Sequence, residues 1–139
     1  MLLHVIARGK IGRSPEAELV ERYLKRIAWP VKLTELIERA PTPPAPSGAV
    51  TVLLDEKGKA LSSMEFAKTL EQWRDRGVRE ARFVIGAADG HSVEECASAD
   101  LVLSFGPATW PHLLVRAMLA EQLFRATSIL ANHPYHREG

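Results

Sequence analysis

The sequence has 139 residues, about the usual size of a single domain. Hydrophobic residues make up 46% of it and charged residues 25%, a balance typical of globular proteins and not of fibrous or wholly disordered ones. The formal net charge is +1, which argues against a protein that grips naked nucleic acid through a strongly basic surface. We therefore expect one domain over residues 1–139.

Membrane, secretory and metal-binding classes are also disfavoured. The longest apolar runs are far shorter than the roughly 18 to 20 residues that cross a bilayer. The apolar start has no basic segment before it, as a signal peptide would, and the single cysteine, Cys96, cannot form an intramolecular disulfide. No Cys and His cluster has the spacing of a zinc site. We expect a cytoplasmic protein without a metal and without a membrane partner.

Strand and helix patterns begin at the amino terminus. Residues 2–8 have the length and composition of a strand. Ser14 followed by Pro15 is typical of a helix start, since the serine hydroxyl caps free backbone N–H groups and proline suits the first turn. Apolar residues at helical spacing continue this helix until Pro30, and residues 31–38 favour a second strand.

The middle of the chain starts with a proline-rich segment. Residues 40–48 hold four prolines, which predict an extended surface loop. Residues 49–54 form a nearly pure apolar run, as in parallel strands buried on both faces, and residues 55–59 are predicted to be the loop after it. Ser62 and Glu65 have the spacing of a capping box, which predicts a helix that continues to Arg76.

The last third repeats this alternation. Residues 81–85 and 100–104 favour strands, and between them Ser92 with Glu95 predicts a second capping box on a short helix. From His112 to about Leu130 there is no Gly or Pro, and the apolar spacing predicts a long amphipathic helix.

This alternation predicts an α/β fold with a mostly parallel sheet flanked by helices on both faces. In such sheets ligands bind outside the carboxyl ends of the strands. Three segments are therefore candidates for a ligand site, namely 55–59, 86–90 and 105–111.

Two of these loops have residues that suit a ligand. Gly86 to Gly90 would let backbone N–H groups approach a ligand closely, although a tight turn explains the same residues equally well. The 105–111 loop holds two prolines and Trp110, and it suits either a preformed pocket wall or a rigid crossover with Trp110 in the core.

Outside these loops, the tail residues His133 to Arg137 concentrate polar, aromatic and cationic groups, which suit phosphate and base contacts unless they are only a frayed end. His112 and Arg116 lie one helical turn apart and predict either an anion-binding or a simply solvated face. His4 is interpreted as a satisfied strand residue and Cys96 as a small core residue rather than a nucleophile.

Four blocks together resemble one family. They are Leu54-Asp55-x-x-Gly58-Lys59, Ile85-Gly86-x-x-x-Gly90, Pro111-His112-x-Leu114-x-Arg116-x-x-x-x-Glu121-Gln122-x-x-Arg125-Ala126 and His133-Pro134-Tyr135-His136-Arg137. Their order and spacing are similar to those of the bacterial 23S ribosomal RNA pseudouridine N3-methyltransferases of the SPOUT class. The resemblance covers essentially the whole chain.

The resemblance implies a SPOUT fold with a deep C-terminal trefoil knot, a homodimer, and S-adenosyl-L-methionine as the cofactor. It implies methylation of N3 of a pseudouridine in helix 69 of 23S ribosomal RNA, on the assembled ribosome. The implied cofactor-binding residues lie in the three candidate loops: Leu54, Gly86, Phe105, Gly106, Pro107, Ala108, Thr109 and Trp110.

The implied catalytic residues are Tyr135, His136 and Arg137, which would hold the target base and stabilise its developing negative charge. His112 and Arg116 would contact the RNA. Near-neutral charge then fits an enzyme that recognises a folded ribosome through a local basic surface, with low affinity for free RNA.

Three segments depart from the family pattern. The usual Gly-Gly-Pro-Glu-Gly loop is here Gly86-Ala87-Ala88-Asp89-Gly90, Trp110 replaces a smaller aliphatic residue, and the 40–48 segment replaces a longer lysine-containing region. Two alternatives therefore stay open. One is a ribosome-binding module without activity, and the other is a SPOUT methyltransferase with a different RNA substrate.

Overall fold

The computed structural model describes residues 1–86 and 90–137. Its elements are, in chain order, β1 (Leu2–Arg8), α1 (Pro15–Arg26), β2 (Val31–Leu36), β3 (Ala49–Ala60), α2 (Ser63–Asp75), β4 (Glu80–Ile85), α3 (Val93–Ser98), β5 (Leu101–Ser104) and α4 (His112–Leu130). The order of strands and helices confirms the predicted alternation. No helix within the described ranges combines the length and hydropathy needed to cross a membrane.

The strands form one parallel sheet in the order β2-β1-β4-β3-β5. A parallel sheet that is covered on both faces excludes water from both sides of its interior strands. Both sets of side chains on these strands must then be apolar, which is why they are the apolar runs of the sequence. The predicted mostly parallel α/β sheet is therefore confirmed.

Helices cover both faces of this sheet, as predicted. Side chains alternate between the faces along a strand, so Leu3 and Val5 of β1 pack in the large core with α1, α2 and α4. Ile6 points the other way and packs in a smaller cluster with Cys96 of α3. Burial raises the pKa of the Cys96 thiol, and the Asp55 and Glu95 carboxylates add to this rise. Cys96 is thus a poor nucleophile and acts as a small packing residue.

The predicted helix starts are all present. Ser14 Oγ accepts a hydrogen bond from Ala17 N at 3.1 Å, and Pro15 occupies the first turn. Ser62 with Glu65 and Ser92 with Glu95 form reciprocal capping boxes. These local hydrogen bonds satisfy backbone N–H groups that have no partner within the helix.

The structure corrects the predicted end of the third strand. Residues 55–59 were expected to form a loop, but β3 continues to Ala60 and pairs with β5 again after a shift of register between Leu54 and Lys59. Gly58 makes this possible, because a Cβ there would lie 2.5 Å from the Val102 carbonyl oxygen. The two backbones approach more closely than any side chain allows.

We expect Gly58→Ala to lower the free energy of unfolding by about 3 kcal/mol, because the new methyl group meets backbone atoms that cannot rotate away. Urea denaturation measures this loss. The matched control is Gly12→Ala, where no atom lies within 4 Å and only the φ of +62° opposes the change, at about 1 kcal/mol. Equal losses for the two variants would contradict the close approach of β3 to β5.

Helix α4 also differs from expectation. It has the predicted bounds, but it is not amphipathic, because α1 and α2 both pack against it. Ala117 and Ala120 pack against Val20 of α1, where the small side chains permit close contact between the helices. The polar residues Thr127 and Ser128 of α4 are also buried. Their hydroxyl groups donate hydrogen bonds to backbone carbonyls one turn earlier in the helix, so they need no other partner.

The 40–48 segment is the extended surface loop that its prolines predict. Two arginines of the sheet hold it: Arg8 donates to the Ala40 carbonyl and to Thr42, at 3.0 and 2.8 Å, and Arg82 donates to the Pro43 carbonyl at 2.8 Å. His4 lies on the same side of the sheet. It bonds Glu80 and Thr34, which confirms its interpretation as a satisfied strand residue.

Candidate functional site

A cavity of about 280 Å³ opens at the edge of the sheet where β4 and β5 end and where β3 shifts register after Leu54. Leu54, Ile85 and Leu103 form its apolar floor. The chain leaves β3 for α2 on one face of the sheet and leaves β4 for α3 on the other, so the cavity lies at a topological switch point. This is the place that the candidate-loop argument predicts.

The segment after β5 forms one wall of the cavity and is internally braced. Gly106 N donates to Ser104 Oγ at 3.0 Å, and Trp110 Nε1 donates to the Phe105 carbonyl at 3.3 Å. The Thr109 hydroxyl donates to Glu56 Oε2 at 2.7 Å, which joins this wall to the extended part of β3. Trp110 is 40% exposed and lines the cavity, so the interpretation of Trp110 as a core residue is wrong.

The part of the lining that β3 supplies contains two carboxylates. Asp55 and Glu56 line the cavity together with Lys57, and Asp55 Oδ1 accepts a hydrogen bond from Lys57 N at 2.9 Å. Two carboxylates beside an apolar floor and an exposed indole suit a ligand that combines a flat ring with hydroxyl or cationic groups.

Most of the predicted cofactor-binding residues meet at this cavity. Those that line it are Leu54, Gly86, Phe105, Gly106, Ala108, Thr109 and Trp110. Pro107 belongs to the same segment but is not among the lining residues. The centre of the predicted Gly86 to Gly90 loop, residues 87–89, lies outside the described residues.

Among the lining residues, Asp55, Glu56 and His91 are polar residues that the sequence did not predict as site residues. The first two fall in a segment predicted as a candidate loop, which was the available signal. His91 carried no signal, because neither its spacing nor its neighbours predict a buried imidazole. His112, predicted to contact RNA, is half-buried and lines the cavity. In the part of the chain described here, no group of three or more His, Cys, Asp or Glu side chains has a metal-site arrangement.

The structure corrects the placement of Arg116. Its side chain is 1% exposed and does not project from the surface with His112. The guanidinium donates to the Glu35 carboxylate and to the carbonyls of Arg8 and Gly9. Arg116 thus turns inward and holds the loop after β1 rather than reaching an RNA.

The predicted catalytic residues lie in the tail after α4, which packs back against the second half of that helix. Tyr135 packs edge-on against Phe124, with ring centroids 4.6 Å apart, and its hydroxyl donates to Glu121 Oε1 at 3.2 Å. Arg125 lies over the Tyr135 ring and donates to His136 Nδ1 at 2.9 Å, which leaves the His136 proton on Nε2. Arg137 is exposed beside them.

Burial and a hydrogen bond with Tyr23 raise the pKa of Tyr135 to about 12, and the charge of Glu121 contributes. The Tyr135 hydroxyl therefore stays protonated at neutral pH and acts as a donor. That proton is donated to Glu121, so the group of this cluster that suits an acceptor that becomes negatively charged is the exposed Arg137 cation.

Within one copy of the chain, Tyr135 packs further along α4 than the residues that line the cavity. Helix α4 has 19 residues and is about 28 Å long, with His112 at the cavity and the tail after Leu130. The Tyr135 hydroxyl contacts Glu121, which is about 13 Å along the helix axis from His112.

Residues 1–136 match the profile of a family described as "Predicted SPOUT methyltransferase". The chain belongs to this family. The SPOUT methyltransferase is 70% identical over its whole length to a protein of Erythrobacter litoralis and 67% identical to one of Novosphingobium aromaticivorans, and it covers all of both relatives. Both relatives are named "Ribosomal RNA large subunit methyltransferase H".

A solved structure is similar to this SPOUT methyltransferase in fold. It is described as "The structure of a probable methylase family protein from Haemophilus influenzae Rd KW20", with a TM-score of 0.56 and 10% sequence identity. The match covers 94% of this chain and 66% of the other. At this identity the likeness concerns the fold alone.

Proposed function

We propose that this SPOUT methyltransferase methylates N3 of a pseudouridine in helix 69 of 23S ribosomal RNA, on the assembled ribosome. The observation that carries the proposal is the full-length identity of 62 to 70% to relatives named as large-subunit ribosomal RNA methyltransferases. A ribosomal substrate places the enzyme in the cytoplasm. The trefoil knot of the family stays a prediction.

The cavity fits S-adenosyl-L-methionine, which supplies a methyl group on an activated sulfonium when it is bound. Its volume of about 280 Å³ is close to that of small ligand sites. Its lining combines an apolar floor with the indole of Trp110 and the carboxylates of Asp55 and Glu56. Asp55 and Glu56 would bind groups that carry hydroxyls or positive charge, and Trp110 would contact a flat ring. Leu54, Ile85 and Leu103 would exclude water from it.

The tail would handle the acceptor base. An imide nitrogen becomes nucleophilic once it loses its proton, and the resulting negative charge needs a partner. Arg137 is an exposed cation, and Tyr135 is an aromatic ring whose position is fixed by its hydrogen bond to Glu121 and its packing on Phe124. We assign them the orientation of the base and the stabilisation of this charge.

A homodimer reconciles the two parts of the proposed site. The cavity is lined by His112 and Val115 at the start of α4, whereas Tyr135 contacts Glu121 and Phe124 further along it, so the two parts stand apart within one copy. A two-fold arrangement that places the tail of one copy beside the cavity of the other would make two complete sites. Exposed Lys10 and Arg13, in the loop held by Arg116, would add basic surface for ribosome contact.

We expect 23S RNA from a strain that lacks this protein to lose one methyl group at a helix 69 pseudouridine, as measured by mass spectrometry of RNA fragments. Expression of the chain should restore it, and purified protein should methylate ribosomes but not free RNA. Loss of a methyl group elsewhere would favour the different-substrate alternative. An unchanged spectrum, with no binding of S-adenosyl-L-methionine in calorimetry, would favour the ribosome-binding module, which the altered 86–90 loop keeps open.

A further inference from the structure

His91 is a buried histidine in the wall of the cavity. It lies between Gly90 and the cap of α3, and its side chain is only 2% exposed. The ring lies against the backbone of Gly86, since a Cβ on that glycine would come within 3.0 to 3.3 Å of three ring atoms. The imidazole can occupy this position because residue 86 has no side chain.

The two ring nitrogens of His91 have different surroundings. Nδ1 is 3.8 Å from Glu95 Oε2, too far for a direct hydrogen bond but close enough for electrostatic attraction. Nε2 is buried and has no hydrogen-bond partner in residues 1–86 and 90–137. A buried polar atom without a partner costs free energy, so a ligand group that forms a hydrogen bond with it would remove that cost.

Glu95 determines which nitrogen of the His91 ring carries the proton. Its Oε1 accepts from Ser92 N at 3.0 Å in the capping box, which fixes the carboxylate in front of Nδ1. The hydrogen bond from the Ser92 backbone is the main cause that lowers the pKa of Glu95, so the carboxylate is charged at neutral pH. A negative charge on this side favours the proton on Nδ1, and Nε2 of the ring, which lies beside Gly86 in the cavity lining, then carries a lone pair.

We infer that His91 binds the ligand of this cavity, and that its Nε2 accepts a hydrogen bond from a hydroxyl or amino group of the methyl donor. The inference rests on the proposed function for the identity of the ligand. The charged groups that line the cavity with His91 are Asp55, Glu56 and Lys57, with His112 at its rim. His91 differs from them because its side chain is buried, so it binds only a group that enters the cavity.

Calorimetry with S-adenosyl-L-methionine and with S-adenosylhomocysteine tests the inference. We expect His91→Leu to weaken the binding of both about tenfold. His91→Gln should recover most of the affinity, because the glutamine side chain can place an acceptor close to the position of Nε2. A merely structural role for the ring predicts the opposite order, since leucine packs in an apolar site better than glutamine does.

A second pair of variants tests the role of Glu95. Glu95→Gln keeps the capping box, since glutamine serves at this position as glutamate does, but it removes the charge beside Nδ1. We expect it to weaken binding about threefold in the wild-type background and to have no effect in His91→Leu. The matched control is Glu94→Gln, an exposed carboxylate on the same helix, which should leave the affinity unchanged.

A measurement on the unmodified protein keeps the inference falsifiable if a variant fails to fold. The ¹⁵N resonance of His91 Nε2 should report an unprotonated nitrogen and should move when S-adenosyl-L-methionine saturates the protein. An Nε2 resonance that stays in place, or equal affinities of wild type and His91→Leu, would overturn the assignment of His91 alone. A wild-type protein that binds neither ligand would overturn the proposed function together with it.

Discussion

A mixed dimer of Ala108→Arg and Arg137→Ala chains is expected to recover methylation that neither variant shows alone. Each heterodimer has one site with both an intact cavity and an intact tail, and a second site that lacks both. Random pairing makes about half of the dimers mixed, so the preparation should reach about a quarter of the wild-type rate. Co-expression with two different tags and transfer of labelled methyl to ribosomes measures this rate.

The two substitutions disable different parts of the proposed site. Ala108 is exposed at the cavity wall, so a long cationic side chain there would enter the cavity and repel a sulfonium. Arg137 is exposed and its truncation leaves the packing of Tyr135 unchanged, so we expect a loss of activity of about 100-fold with the fold intact.

Ala108→Ser is the matched control for the cavity variant and should retain activity, because a hydroxyl neither fills the cavity nor adds charge. The Arg137→Ala protein should still bind S-adenosyl-L-methionine in calorimetry. A mixture that remains as inactive as its components would contradict a site shared between two copies, and full activity of Arg137→Ala alone would contradict the role of the tail.

Local rules of the chain were enough to predict most of the fold. Capping residues such as Ser14, Ser62 and Ser92 act on backbone groups three residues away, so their effect is readable from sequence and is present in the structure. The apolar run at 49–54 likewise predicts a strand, because such runs are typical of parallel strands that are buried on both faces. The location of the candidate cavity could also be predicted from this topology, because the carboxyl ends of parallel strands meet at one edge of the sheet.

Contacts between distant residues account for what the sequence did not predict. The extension of β3 to Ala60 depends on Gly58 fitting against Val102, and no local pattern reports that fit. The burial of Arg116 depends on Glu35, which lies 81 residues earlier in the chain. Helical spacing alone places Arg116 beside His112 on one face of α4. Only the tertiary contacts show that Arg116 lies on the buried side of the helix.

Glu35→Ala is expected to lower the free energy of unfolding by about 3 kcal/mol, which is more than Arg116→Met, at about 1.5 kcal/mol. In the wild type the Arg116 side chain is 1% exposed, and without Glu35 its guanidinium keeps only carbonyl partners. Without Arg116, the Glu35 carboxylate is still 29% exposed to water and keeps its hydrogen bond from Ile11 N. Urea denaturation at neutral pH measures both, with the exposed Glu38→Ala as control, for which we expect less than about 0.5 kcal/mol.

The same pair predicts a dependence of stability on pH. Burial raises the pKa of Glu35, but the hydrogen bonds from Ile11 and Arg116 outweigh it, and the net result is a pKa below the ordinary 4.5. A carboxyl whose pKa is lowered by folding stabilises the protein fully above its unfolded pKa and loses that contribution as pH falls through the folded value. The stability difference between wild type and Glu35→Gln should therefore be constant above about pH 5.5 and shrink in the acid range below 4.5.

A difference that grows as the pH falls would contradict this sign, and so would a larger loss for Arg116→Met than for Glu35→Ala. The consequence reaches the proposed function, because Glu35 and Arg116 together hold Gly9 and Ile11 at the carboxyl end of β1. The exposed Lys10 and Arg13 are carried by that loop. Glu35→Ala should consequently weaken ribosome binding at a temperature where the protein is still folded, because the basic surface loses its fixed position while its charge stays the same.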